Sequence, residues 1–236
     1  MKIVIIGYGK MGKAIERMAM QRGHTIIACI DTFDSPERKA IPDADVAIEF
    51  SQPDSVIHNL EACFDAQVPV VCGTTGWLEH KSAIEKSCVE HGGTLFYASN
   101  FSLGVNILFK VNAYLAKIMD SYPAYDVRID EVHHTQKKDA PSGTAITLAE
   151  GILSNIQSKH RWIHKGNATA EDLVINSFRV DPTPGTHTVR YTSPIEDIEI
   201  KHTAHSRDGF VLGAILVAEW IQGKKGVLGM ADFLKL

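Results

Sequence analysis

"KIVIIGYGKMG", residues 2–12, decides how the first half of this chain folds. Ile3 to Ile6 are apolar and β-branched, and they run straight into glycines at 7, 9 and 12. So apolar a run suits a strand buried on both faces, as in a parallel sheet. Beyond it Met11, Ala14, Ile15, Met18 and Ala19 recur at helical spacing, and Gly23 is a natural stop. "HTIIACID", 24–31, then reads as a second strand that ends in Asp31. The Gly-x-Gly-x-x-Gly therefore follows a strand, opens a helix and is answered by an acid at the next strand end. Each part has a physical task in seating a dinucleotide. Gly7 permits the tight turn, Gly9 lets backbone approach a pyrophosphate, and Gly12 lets helix and strand pack closely. The helix N-terminus offers N–H groups to phosphate, and Asp31 can accept from both ribose hydroxyls. Asp31 would repel a 2′-phosphate, so NADH is favoured and NADPH is possible, with Arg38 and Lys39 close by in sequence.

The alternation continues. Strands are predicted over 44–51, 68–76 and 94–102, with helices over 54–67 and 80–93, which implies a Rossmann-type doubly wound parallel sheet. Ligands bind such sheets beyond the carboxyl ends of the strands, where Gly73-Thr74-Thr75 and Ala98-Ser99-Asn100-Phe101 fall. From about residue 104 the pattern changes. A long amphipathic helix (104–122) is followed by a strand (125–134), a helix (144–156) and three strands (173–180, 186–193, 196–205), which suggests a mixed or antiparallel sheet. A helix over 209–221 and a partly apolar tail, 224–236, that docks somewhere complete the chain. The fold class is α/β with a second, α+β domain.

The densest chemistry lies in "HHTQKKDAPSGTA", 133–145. Val127, Ile129 and Glu131 should point to one face of the preceding strand and Arg128, Asp130 and Val132 to the other. His133 and His134 lie at the strand end, able to donate hydrogen bonds or exchange protons near neutral pH. A helix starting at Ser142-Gly143-Thr144 presents unpaired N–H groups, a cradle for a carboxylate, and Lys137 and Lys138 add charge. The stretch reads as a place to hold a small dicarboxylate and pass it a proton. A metal site is not expected: His133 and His134 are adjacent, and His202 and His205 stand in a separate segment without a matched carboxylate.

Bulk properties narrow the classes. The chain has 236 residues, 44% hydrophobic and 22% charged, with a net charge of −4, which does not read as a nucleic-acid binder. Cys29, Cys63, Cys72 and Cys88 form no C-x-x-C pair and read as small reduced core residues. No signal pattern or apolar run of about 20 residues is present, so no membrane span and a cytoplasmic location are expected.

The motifs "GYGKMG", "GTTG", "SNFSLGVN" and above all "EVHHTQKKDAPSGTA" closely resemble the dihydrodipicolinate reductases (4-hydroxy-tetrahydrodipicolinate reductases) of lysine and diaminopimelate biosynthesis, over nearly the whole chain. The resemblance implies a dinucleotide domain (1–103, completed by 210–236) and a substrate and tetramerisation domain (104–209), in a homotetramer. It makes His133 and Lys137 the acid/base pair and places His134, Ser142, Gly143 and Thr144 against substrate. Gly7, Tyr8, Gly9, Lys10, Met11 and Gly12 become the cofactor loop, with Asp31 as ribose acid. Residues 73–75 and 98–101 become the nicotinamide side. Two departures stand out: "RVDPTPGTH", 179–187, replaces a longer, glycine-richer stretch of many relatives, and the chain is short for the family. Other readings are a dehydrogenase for another small acid, such as an amino acid, and a nucleotide sensor without chemistry.

Overall fold

The computed structural model describes residues 1–32 and 35–235, in two compact units: Met1–Ser102 with Asp208–Leu236, and Leu103–Arg207.

In the first unit, β1 (Lys2–Ile6), α1 (Lys10–Gln21), β2 (Thr25–Ile30), β3 (Val46–Glu49), α2 (Pro53–Asp65), β4 (Val70–Cys72), α3 (Lys81–Glu90) and β5 (Thr94–Tyr97) alternate as the sequence predicts. The strands are parallel and lie in the order β2-β1-β3-β4-β5. Every second side chain of β1 goes to a different core, as a strand buried on both faces must do. Ile3 and Ile5 join Ile15 and Ala19 of α1, whereas Val4 and Ile6 join Val56, Leu60 and Phe64 of α2. Gly23, at φ +82°, ends the turn after α1. β1 pairs with β2 on one side and β3 on the other, so the chain reverses its direction of travel across the sheet here. The crevice above this switch point is where open α/β sheets hold ligands.

The tail returns to this unit. Helix α6 (Asp208–Trp220) packs against α1, β11 (Gly226–Leu228) adds a sixth strand parallel to β5, and α7 (Met230–Leu234) follows. The sequence predicts a docked tail but not a strand, because three residues carry no period of their own. An eight-residue 3-10 segment, Pro36–Asp43, is likewise absent from the sequence reading.

The second unit contains α4 (Leu103–Met119), β6 (Asp126–His133), α5 (Gly143–Leu153), β7 (Arg161–Ile163), β8 (Asp172–Arg179), β9 (Gly185–Thr192) and β10 (Asp197–Ala204). The sheet is mixed, in the order β10-β9-β6-β8-β7: β9 pairs antiparallel with β10 and β6, while β8 pairs parallel with β6 and β7. Strand β7 is a further element the sequence does not announce. Helices α4 and α5 cover one face, where Val127, Ile129, Leu173, Ile175, Val189 and Tyr191 meet Leu148 and Ile152. Asn112 of α4 donates to the Leu148 carbonyl at 2.9 Å. No helix of the described residues is long and apolar enough to cross a membrane.

Candidate active site

In the first unit the three strand-end loops that the sequence marks all meet above β1, β3 and β4. The Gly7 amide donates to the Ile30 carbonyl at 2.8 Å, so the glycine loop runs beside the end of β2, next to exposed Asp31. Gly7, at φ +92°, lies against β3: a Cβ there would meet the Phe50 carbonyl oxygen at 2.1 Å. Gly12 is forced by a similar approach, 2.3 Å from the Gly7 carbonyl oxygen. Gly9 differs, because a Cβ on it would meet nothing within 4 Å. It is the N-cap of α1, without a side-chain cap and with no acid in the helix's first turn. Bare backbone therefore faces open space at a helix N-terminus, which fits a pyrophosphate. Tyr8, its hydroxyl donating to Glu16, has its pKa pushed up to about 12, chiefly by that hydrogen bond. Lys10 and Met11 open the first turn of α1.

At the tip of β4, Gly73 is required because a Cβ would strike the Phe50 ring at 2.1 Å. Thr74 is buried; its hydroxyl accepts from the Ser51 amide at 2.8 Å and its carbonyl from the Trp77 indole at 2.7 Å, while Thr75 is exposed. After β5, Ala98 and Phe101 are buried and Ser99 is exposed; Asn100 accepts from the Ser102 amide at 2.9 Å. The Phe101 ring packs on Phe50, centroids 5.5 Å apart, so that side chain belongs to the core. Phe50 and the fully buried Glu49, whose carboxylate takes the Ser51 amide and Asn59, join these loops. The sequence reading passed over both.

In the second unit, β6 carries Val127, Ile129, Glu131 and His133 on one buried face, the alternation predicted from sequence. That face changes from apolar to ionisable at Glu131, which is 0% exposed. The Ser142 amide donates to both Glu131 oxygens at 3.1 Å. His133 Nδ1 stands 3.6 Å from the same carboxylate, His187 Nε2 3.8 Å and Arg179 3.5 Å. Burial would lift the Glu131 carboxyl, but hydrogen bonding by Ser142 and the charge of His133 hold it below the usual range. Burial pushes His133 below its ordinary value, against the pull of Glu131. His187, buried beside His133 with ring centroids 5.1 Å apart, is pushed down to about 4, first by burial and then by His133.

The helix start lies where the sequence puts it: Ser142 is the N-cap of α5, its hydroxyl accepting from the Ala145 amide and lying 3.1 Å from His187 Nε2. Of the three amides expected in the cradle, that of Ser142 is committed to Glu131. Gly143 and Thr144, the first two helical positions, are left. A Cβ on exposed Gly143 would meet nothing within 4 Å, so packing does not demand glycine and the helix end stays bare. Lys137 pairs with Asp139 at 2.8 Å, and Lys138 is exposed. Half-buried His134 lies off the buried face, one residue beyond it. The loop between them is tied at both ends to the strand end after β8. Thr135 donates to Asp181 at 3.0 and 2.6 Å, and Arg179 donates to the carbonyls of Lys137 and Asp139 at 3.3 and 2.6 Å.

Glu131, His133 and His187 bring oxygen and nitrogen atoms within 4.8 Å of one another, a spacing one metal ion could bridge. Both Glu131 oxygens already accept from Ser142, however, and a cation would face Arg179. Glu131 is thus satisfied without an ion, whereas the Nδ1 atoms of His133 and His187 are buried with no hydrogen-bond partner among the described residues.

The low pKa of His187 makes stability depend on pH. Its folded value, about 4, lies below the ordinary 6.5 of an unfolded histidine, so the unfolded chain takes up the proton first. The contribution is complete above about pH 6.5 and is lost as pH falls toward about 4, about 3 kcal/mol in all. Denaturant midpoints measured across that window should fall with acidification. The slope should flatten in His187→Gln; an equal slope would place the acid sensitivity elsewhere.

Comparison with known proteins supplies the lineage. The family pattern "Dihydrodipicolinate reductase, N-terminus" matches residues 1–101 and "Dihydrodipicolinate reductase, C-terminus" matches residues 104–234. A curated 4-hydroxy-tetrahydrodipicolinate reductase of Christiangramia forsetii is 44% identical over 99% of this chain and 98% of its own. That of Oleidesulfovibrio alaskensis is 35% identical over 97% and 90%. A solved dihydrodipicolinate reductase of Paenisporosarcina sp. TG-14, bound to dipicolinate, is 23% identical, with a TM-score of 0.79 over 99% of this chain and 98% of that one, and so shares its fold. Two matched halves and relatives alike from end to end leave one lineage: the chain belongs to the dihydrodipicolinate reductase family.

Proposed function

We propose that the second unit holds a ring dicarboxylate on Lys137, Gly143 and Thr144 and passes it a proton from His133. In this way the chain reduces 4-hydroxy-tetrahydrodipicolinate (dihydrodipicolinate) to tetrahydrodipicolinate in lysine and diaminopimelate biosynthesis. One observation carries the reading: the buried face of β6 ends in Glu131 and His133 beside the bare first turn of α5.

Once the 4-hydroxyl has left as water, giving the conjugated dihydrodipicolinate ring, a bound reduced nicotinamide would supply the hydride to its C4. The residues of this chain do the rest. Gly143 and Thr144 offer N–H groups to one carboxylate. Lys137, on Asp139 in the free protein, exchanges that partner for the substrate's negative charge. His134 and Ser142 border the same pocket, Ser142 by fixing the helix end. His133, with Lys137 beside it, delivers the proton that completes the two-electron reduction. In the first unit Gly7 to Gly12 receive the pyrophosphate and Asp31 the ribose, while residues 73–75 and 98–101 border the nicotinamide. Asp31 favours NADH over NADPH, because a 2′-phosphate would meet its carboxylate; Arg38, which could oppose this, spends one guanidinium nitrogen on Asn59 at 2.9 Å. The family resemblance extends the reading to a cytoplasmic homotetramer assembled through the second unit.

The test is the loss of reduced-nicotinamide absorbance with freshly made substrate, run with NADH and with NADPH. Substrate-dependent oxidation, faster with NADH at low cofactor, is expected. No oxidation would leave the sensor reading. Oxidation with an amino-acid-derived substrate instead would favour the alternative dehydrogenase.

A further inference from the structure

We propose that Glu131 is a positioning residue for the proton step: its buried carboxylate, 3.6 Å from His133 Nδ1, orients the His133 ring and stabilises its protonated form. This rests on His133 being the proton donor, as read above.

The geometry argues it in three steps. First, His133 Nδ1 is buried and has no hydrogen-bond partner among the described residues. An imidazole nitrogen in that condition is costly unless something nearby takes its proton, and Glu131 is the carboxylate beside it. At 3.6 Å the pair is just outside hydrogen-bond range, and such contacts commonly shorten when a site closes on its substrate. Second, Glu131 is itself fixed. Two hydrogen bonds from the Ser142 amide, 3.1 Å to each oxygen, tie it to the same helix end that offers Gly143 and Thr144. One carboxylate thereby sets the histidine and the carboxylate cradle relative to each other. Third, the other ring nitrogen is left room. A Cβ on Gly185 of β9 would stand 3.1 Å from His133 Nε2, so glycine keeps that side of the ring uncrowded. An imidazole with Nδ1 toward a carboxylate, and Nε2 not blocked by a side chain at 185, is arranged to give up a proton from Nε2.

The charges facing His133 come from every neighbouring element: Glu131 from β6, Lys137 and Asp139 from the following loop, Arg179 from the end of β8 and His187 from β9. His202 of β10 is the cross-strand partner of His187. Burial, Lys137 and Arg179 disfavour an imidazolium, whereas Glu131 and Asp139 favour it. Glu131 is the buried one of that favouring pair, so its charge is the less screened by water.

The experiment is an NMR titration of the His133 imidazole in the full-length protein and in Glu131→Gln, with kcat followed against pH in both. Glutamine keeps the shape and loses the charge. A unit charge at this range moves a pKa by roughly 1–3 units, so the His133 pKa should drop by that much in Glu131→Gln. Turnover at neutral pH should fall at least ~10-fold, recover toward acid, and leave KM for NADH unchanged. If Glu131→Gln does not fold, Glu131→Asp, which keeps the charge, should show a smaller shift of the same sign. An unmoved His133 titration would overturn the proposal, as would a pH profile of unchanged shape. Activity lost on a chelator and restored by a divalent cation would overturn it in favour of a metal. The titration needs no turnover, so a wild-type protein inactive on the expected substrate would count against the function while the Glu131–His133 coupling is still read.

Discussion

Replacing His133 by alanine lowers kcat by ~10²–10⁴-fold and leaves the affinity for NADH unchanged. The size follows from the proposed role: one well-placed proton donor supplies about that much of a rate. The selectivity follows from the fold. Every residue read as seating the cofactor belongs to the unit Met1–Ser102 with Asp208–Leu236, whereas His133 ends β6 in the other unit. KM for the substrate should also move little, because the carboxylates are proposed to rest on Lys137, Gly143 and Thr144 and not on His133. A buried ring removed outright leaves a hole beside His187, so His133→Gln, closer in volume, serves as the control for packing. Stopped-flow turnover together with cofactor fluorescence titration separates the two effects. A variant that binds NADH normally and turns over at the wild-type rate would remove His133 from the mechanism.

Local sequence pattern specifies some elements of this fold fully and others not at all. The β1–α1–β2 unit was legible because three independent signals agreed: an apolar β-branched run, glycines at fixed offsets and a helical stripe ending at Gly23. The start of α5 was legible for the same kind of reason, since Ser142 is a good cap followed by a helical run. Strands β7 and β11 were not, because each spans three residues and exists by pairing with β8 or β5, partners that local pattern does not reveal. In the site, alternation along β6 already put Glu131 on the inner face with Val127 and Ile129. No role could be read for it there, because the groups that make burial of its charge tolerable come from elsewhere: Ser142 from the next helix and His187 from β9. A buried acid in a strand is a signal only once its partners are known. Phe50 was missed for a related reason. It follows a strand and precedes Ser51 and Gln52, and only the missing side chain of Gly73 shows what its ring is for.

Gly7→Ala and Gly9→Ala should fail in opposite ways, although they lie two residues apart in one motif. At Gly7 the new Cβ would sit 2.1 Å from the Phe50 carbonyl oxygen, and the backbone is at φ +92°. Neither partner can yield cheaply, since the oxygen belongs to the chain leaving β3. Overpacking of this kind costs about 1–3 kcal/mol, and an L residue held in a left-handed conformation about 1–2 more. For a chain of this length that lowers Tm by roughly 5–15 °C, and cofactor binding is lost with the loop. At Gly9 the backbone is at φ −79°, ordinary for alanine, and the added methyl meets no atom of the protein. Alanine is a poorer N-cap than glycine but has less freedom to lose on folding, and these terms, each about 0.5–1 kcal/mol, offset. Gly9→Ala should therefore keep its Tm while its affinity for NADH falls by ~10-fold or more, because the methyl projects into the space read here as the seat of the pyrophosphate. Scanning calorimetry beside a fluorescence titration distinguishes the outcomes. If Gly9→Ala bound NADH as tightly as the wild type, the bare helix end would be a feature of packing alone, and the cofactor would have to be sought elsewhere on the sheet.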